Sequence, residues 1–219
     1  MGHISDLWYT GTEQEWKKAL QRYYEVLTDE ELALDQFMDT ISANPGIVRS
    51  MKADEFYDFL YNKYYVWKYT QKNRLASTRN ALKKKHFHEE GKAVLSIIKD
   101  SVFKAHDLLP GNAYVALQFA TQIGGLGVAG ASGLLSILFP NDYGTVDQYL
   151  VFALREIDRL PEEEKVKKMN TDQLGIKDGV FLETILRNKA EELNNKFCTD
   201  YWTAKKIDMI LWTVHREND

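Results

Sequence analysis

Apolar residues recur every three or four positions through most of this chain, the period of helices that bury one face. Behind Thr12 they are Trp16, Leu20, Tyr23 and Leu27; behind Thr28 they are Leu32, Leu34, Phe37, Met38 and Ile41. Each run starts with a Thr followed three residues on by a Glu, Glu15 and Glu31 respectively. That is the spacing of a capping box, in which the two side chains satisfy each other's backbone amides. Pro45-Gly46 then breaks the chain. The same period predicts a third helix over residues 54–64 or beyond, a fourth over about 74–84 and a fifth over about 89–105. A sixth would begin at Pro110, a residue suited to a first helical position, and end at the glycines that follow Ile123. Residues 129–139 are apolar on every side and read as a buried helix stopped by Pro140. Helices over 148–158, 178–195 and 203–215 complete the pattern, with Glu162, Glu163 and Glu164 supplying an acidic helix start after Pro161. No repeat or low-complexity linker interrupts it. The expectation is an all-α chain in which residues 1–219 form a single helical domain.

Composition adds constraints rather than a function. At 219 residues the chain is long enough for one sizeable core. No apolar run reaches the roughly 18 residues of a membrane span, and the N-terminus lacks a signal-peptide pattern. An intracellular, cytoplasmic protein without membrane attachment is therefore expected. Cys198 is the single cysteine, which excludes internal disulfides and any four-cysteine metal or iron–sulfur site. His86 and His88 stand two apart, a poor metal spacing on a helix, so no metal is assigned.

Charge is more informative than its sum. The net value is −4, yet from Phe59 to His88 there is no acidic residue, while Lys63, Lys68, Lys72, Arg74, Arg79, Lys83, Lys84 and Lys85 are basic. The preceding stretch carries Asp29, Glu30, Glu31, Asp35, Asp39, Asp54, Glu55 and Asp58. A bipolar chain of this kind can hold a polyanion on one face while staying soluble. The plainer reading of a lysine cluster is a solvated helix face.

Two readings compete for the glycine-rich stretch that starts at Ile123. Gly125, Gly127 and Gly130 spell G-x-G-x-x-G with Asp147 about 20 residues on, as a dinucleotide fingerprint would. That fold needs several parallel strands. Residues 114–123 are the one candidate for the first, and nothing after Asp147 supplies the next. The other reading is a helix, a glycine turn and a second helix over about 113–139. There Gly124, Gly125 and Gly127 permit left-handed angles and close approach, while the amides of Val128, Ala129 and Gly130 point outward as an anion site. Ala131, Ser132 and Gly133 are small enough for close helix packing, and Ser132 is read as a packing residue.

In this second form the segment resembles the helix-hairpin-helix DNA glycosylase superfamily. Its members carry a hairpin of the form Leu-Pro-Gly-Val-Gly-x-x-x-Ala, an apolar helix, and an Asp about 20 residues after the second hairpin glycine. The matching residues are Ile123-Gly124-Gly125-Leu126-Gly127, Ala131 and Asp147. The likeness is close over some 30 residues and otherwise one of character. It implies a two-lobed helical domain that binds DNA between its lobes, and base-excision repair chemistry by a hydrolase. It implies no cofactor beyond a monovalent cation at the hairpin. Strand-cleaving members have a lysine two residues after the second hairpin glycine, where this chain has Ala129; the resemblance therefore implies a monofunctional glycosylase without lyase activity. Gly124 replaces the hairpin proline.

By resemblance Asp147 is the catalytic carboxylate, stabilising oxocarbenium character or positioning water. Its alternative role is an N-cap for the helix that follows. The candidate DNA contacts are Gly125, Gly127, Val128, Ala129, Gly130, Lys68, Arg79, Lys83, Lys84 and Lys85. Trp67 and Tyr69, with Tyr64 and Tyr65 beside them, are aromatics interleaved with basic residues; they either stack on bases or belong to the core. Tyr143 is a candidate pocket residue with loop packing as its alternative. DNA is the expected partner. The rival functions are DNA binding without catalysis on the same fold, and a helical protein-interaction module.

Overall fold

The computed structural model describes residues 4–216, apart from the side chain of His215, and those residues form helices and loops with no strand. The helices are α1 (Ile4–Thr10), α2 (Glu13–Glu25), α3 (Asp29–Ala43), α4 (Gly46–Ser50), α5 (Ala53–Phe59), α6 (Tyr65–Lys68), α7 (Lys72–His86) and α8 (Glu89–Leu108). They continue with α9 (Ala113–Ala120), α10 (Val128–Leu138), α11 (Gln148–Arg155), α12 (Glu163–Lys167), α13 (Ile176–Phe197) and α14 (Ala204–Arg216). A π-helical turn, Leu60–Tyr64, joins α5 to α6 without a break. The expected third helix therefore does run past Tyr64.

Local chemistry explains the boundaries. Both capping boxes form: the Glu15 and Glu31 amides donate to the Thr12 and Thr28 hydroxyls, and the Glu carboxylates accept from the Thr amides. Pro110 does not begin a helix. It sits in a turn with Gly111 at φ +71°, and Asn112 caps α9 through its side-chain oxygen on the Val115 amide at 3.2 Å. The segment 114–123 is helical through Ala120 rather than extended. With no strand among the described residues, the dinucleotide reading of the glycines falls. Two short helices, α1 and α4, had no usable period.

The core gathers around α10 and α14. Every residue of α10 except Ala129 is buried, as a helix apolar on all sides requires. It packs against α3, α9, α13 and α14, while α14 also lies against α2 and α11. Because α10 carries Gly130, Ala131, Ser132 and Gly133 in its first turns, neighbours approach it closely there. A Cβ at Gly130 would lie 2.3 Å from the Tyr69 hydroxyl, and one at Gly133 would lie 2.9 Å from that of Tyr64. The stretch from the π turn through Tyr69 consequently lies directly over the start of α10.

Candidate functional site

The turn between α9 and α10 is held from behind by side chains of earlier helices. Tyr64, Tyr65, Lys68 and Tyr69 fall at i, i+1, i+4 and i+5, one face of a helix. The Tyr65 hydroxyl donates to Gly124 O, that of Tyr64 to Gly130 O, and that of Tyr69 to Gly125 O at 3.3 Å. Tyr64 and Tyr65 are fully buried. Burial pushes the hydroxyls of all three above the ordinary tyrosine range, Tyr69 to about 12, so they act as neutral donors.

His86, at the end of α7, supports the same turn. The Gly124 amide donates to its Nε2 at 3.1 Å, and its Nδ1 lies 3.0 Å from Gly91 O. A carbonyl on one nitrogen and an N–H on the other fix the neutral tautomer with the proton on Nδ1. Burial, the largest influence, lowers its affinity for a second proton.

Of the hairpin glycines only Gly125 is left-handed, at φ +90°, and a Cβ there would sit 2.6 Å from Thr78 O. Gly124 is required for space, its Cβ position lying 2.7 Å from Ala81 O. Gly127 has nothing within 4 Å of its Cβ position and is exposed. Of the three glycines that permit left-handed angles, one uses that freedom, and close approach is the reason for the second. A monovalent cation at the hairpin fits this donor set poorly. The carbonyls of Gly124, Gly125 and Gly130 already accept tyrosine hydroxyls, and Ile123 O accepts the Leu126 amide.

Asp147 both caps a helix and faces a cavity. Its Oδ1 accepts from the Tyr149 amide at 3.0 Å and the Leu150 amide at 3.4 Å, capping α11. Its Oδ2 accepts from Lys68 Nζ at 3.0 Å, with the two side chains 14% and 12% exposed. The loop that delivers Asp147 is fixed by three consecutive amides, each donating to a buried side chain from a different helix. Gly144 N–H donates to Glu183 Oε2 at 2.9 Å, Thr145 N–H to Asp208 Oδ2 at 3.0 Å, and Val146 N–H to Ser132 Oγ at 2.9 Å. Ser132 is therefore more than a packing residue. Burial, followed by the nearby Asp147 charge, raises Asp208 to about 7, and burial raises Glu183 well above the carboxylate range.

Asp147 opens onto a cavity of about 890 Å³. Its wall includes Gly125, Gly127, Val128, Ala129 and Gly130 of the hairpin together with Lys68, Asp147 and Asp208. Tyr23, Trp67, Tyr69, Tyr149 and Trp212 give it aromatic surface. Trp67 is anchored by its indole N–H on Asp35 Oδ1 at 3.0 Å, and the Tyr23 hydroxyl donates to the same oxygen at 2.9 Å. Tyr143 does not line this cavity; it is fully buried beside Phe139 and His106.

The basic residues divide by position. Lys68 turns inward to Asp147. Lys84 and Lys85 border a shallower hollow of about 650 Å³ on the outer side of the turn, shared with Gly124, Gly125 and Gly127. Lys85 also donates to Gln122 O, and Lys83 reaches over the Phe87 ring. Arg79 lies over the Tyr61 ring and donates to Tyr61 O at 2.9 Å, so it is half-buried, whereas Lys83, Lys84 and Lys85 are exposed. The tyrosine braces, His86, Asp208 and Glu183 carry no sequence motif; only the face shared by residues 64, 65, 68 and 69 was readable in advance. Among the described residues no group of His, Cys, Asp and Glu is arranged to hold a metal ion, and no helix is long and apolar enough to cross a membrane. No protein-family model, curated protein or solved structure matches the chain.

Proposed function

We propose that the protein is a DNA-binding, glycosylase-like protein of two-lobed helix-hairpin-helix form, which turns a nucleotide out of the duplex and hydrolyses its N-glycosidic bond at Asp147. One observation carries the reading: Asp147 and the hairpin residues Gly125 and Gly127 to Gly130 line the same cavity. A phosphate bound by amides at the start of α10 would bring its own nucleotide to that opening. The volume falls in the range of small-ligand pockets. The aromatic wall suits a base that has left the stack. Asp147 then lies where positive charge develops on the sugar and opposes it. Lys83, Lys84 and Lys85, beside the turn, neutralise flanking phosphates.

A second reading, DNA binding without catalysis, is favoured by the engagement of both Asp147 oxygens, one by helix amides and one by Lys68. One assay separates the two. Duplexes that each carry a single modified base are incubated with the protein, and abasic sites are revealed by alkali. Base excision predicts cleavage that disappears in Asp147→Asn; binding alone predicts retardation of the same duplexes and no abasic sites.

A further inference from the structure

We propose that the outer face of α8 is a self-association surface, through which two copies of the chain pair antiparallel about a two-fold axis at Ile97. The inner face of that helix is committed. Leu95, Ile98, Val102 and Phe103 are buried where α8 packs on α4, α5, α7 and α9. The outer face is apolar along its centre, where a solvated helix face carries polar and charged residues. Ile97 is 64% exposed and Leu108 68%, with Val94 beside Ile97 also exposed. Of the nine large apolar residues exposed among the described residues, six fall between Phe87 and Tyr114, so the excess is local rather than the scatter normal on a protein surface. No residue of α8 lines either hollow beside the glycine turn. The pairing therefore leaves both open and stands apart from the DNA reading.

The face is complementary to itself. Glu90, Ile97 and Lys104 recur at intervals of two helical turns and stand in one row. Ala93 and Ser101, one turn to either side of Ile97, are small, and the Ser101 hydroxyl turns back onto Ile97 O at 2.8 Å. When a second α8 is laid antiparallel with Ile97 on Ile97, residues equally far before and after that position face each other. Ala93 meets Ser101 and Glu90 meets Lys104, each twice by symmetry. The small residues let the helix axes approach, and two opposite-charge pairs close the rim. Leu108 of each copy reaches the start of the other helix, where Phe87 is exposed. Among the described residues neither Glu90 nor Lys104 has a charged partner in its own chain, so both are available. A parallel pair would instead set Glu90 on Glu90 and Lys104 on Lys104, and like charges oppose it. A membrane surface suits the face poorly, because Glu90, Asp100 and Asp107 border it where membrane-lying helices carry Lys and Arg. A helix of 20 residues is about 30 Å long. One such face lies at the small end for a stable interface, so association of micromolar order is expected.

The test is sedimentation equilibrium of the full chain over a concentration series that runs well above the micromolar range, with reductant present so that the exposed Cys198 cannot cross-link. The parent is expected to pass from monomer to dimer mass. Ile97→Glu, which sets two carboxylates on the axis, is expected to remain monomeric. Glu90→Lys and Lys104→Glu should each weaken association about tenfold, because every substitution acts twice across the axis. The double variant Glu90→Lys/Lys104→Glu, which exchanges the two charges, is expected to regain the parent's affinity. All three positions are exposed, so urea midpoints close to the parent's are expected throughout. A parent that stays monomeric or assembles beyond a dimer overturns the inference, as does a dimer indifferent to Ile97→Glu. A double variant as weak as either single one also overturns it, since antiparallel contact of Glu90 with Lys104 requires the rescue.

Discussion

Lys68 and Asp147 are 79 residues apart in sequence, and their charged atoms meet at 3.0 Å in the cavity wall. The first ends α6; the second caps α11. Each oxygen of Asp147 has a separate task, so substitutions can divide them. Asp147→Asn keeps a good capping side chain, because Asn and Asp cap about equally well. Asp147→Ala removes the cap as well, at a cost of about 1 kcal/mol. On the proposed function, both variants lose base release, Asp147→Asn binds DNA as well as or better than the parent, and only Asp147→Ala loses stability to helix fraying. Urea unfolding beside an abasic-site assay reads both.

The hairpin glycines should behave unequally. At Gly125 a side chain meets a left-handed backbone and the Thr78 carbonyl at 2.6 Å, and strain of this kind costs of order 1–3 kcal/mol. At Gly127 the Cβ position is open. Gly125→Ala is expected to lower the urea midpoint clearly, while Gly127→Ala, which only exchanges one N-cap residue for a poorer one, stays within about 1 kcal/mol. Equal losses would mean that the turn is not built as described.

His86 makes the turn sensitive to acid. Its proton affinity in the folded chain lies below the ordinary value of 6.5, so the folded state binds fewer protons than the unfolded chain between those two values. The stability it contributes is present above about pH 6.5 and is lost as pH falls through the lower, folded value. A second proton on Nε2 also removes the acceptor of the Gly124 amide, and Lys85 opposes the added charge. The parent should lose stability as pH falls below about 6.5, while His86→Gln, starting lower, shows a flatter profile. Parallel profiles would contradict the assignment.

Asp208 has the opposite sign. Folded, it keeps its proton up to about pH 7; its ordinary value is 3.8. The folded state therefore binds more protons across that window, and stability from this group falls as pH rises. Its cost is absent below the ordinary value and fully present above about 7. Asp208→Asn, which can still accept from the Thr145 amide, is expected to be more stable than the parent at alkaline pH. The gain should vanish in acid and be read as a Tm difference of about 2–4 °C per kcal/mol.

Much of the fold was legible because helices announce themselves locally. Thr12 with Glu15 and Thr28 with Glu31 marked two starts by capping alone, and the run of apolar and small residues from Ala129 to Phe139 marked a buried helix. Five-residue α4 and seven-residue α1 are too short for a period to register. Asn112 displaced Pro110 as the start of α9 because a side-chain cap on the Val115 amide outweighs a proline's fixed φ. The site was legible only in its local part, the glycine turn and Asp147. In sequence Lys68 reads as one of several candidate DNA contacts, and nothing near it indicates that room at Gly133 lets it reach Asp147. His86, discounted as a metal ligand, turned out to brace Gly124; Glu183 and Asp208 gave no signal, since holding a loop amide requires only the right place in three dimensions.

The most direct test of a DNA-gripping surface is the salt dependence of binding to a short duplex. If Lys83, Lys84, Lys85 and the amides of Val128 to Gly130 take up phosphates, the protein binds at low salt and log K falls linearly with log salt, with a slope of about −3 for the three phosphates that the lysines neutralise. Lys84→Gln and Lys85→Gln should each make that slope shallower by about one. No binding at low salt, or binding indifferent to salt and to these lysines, would contradict the account.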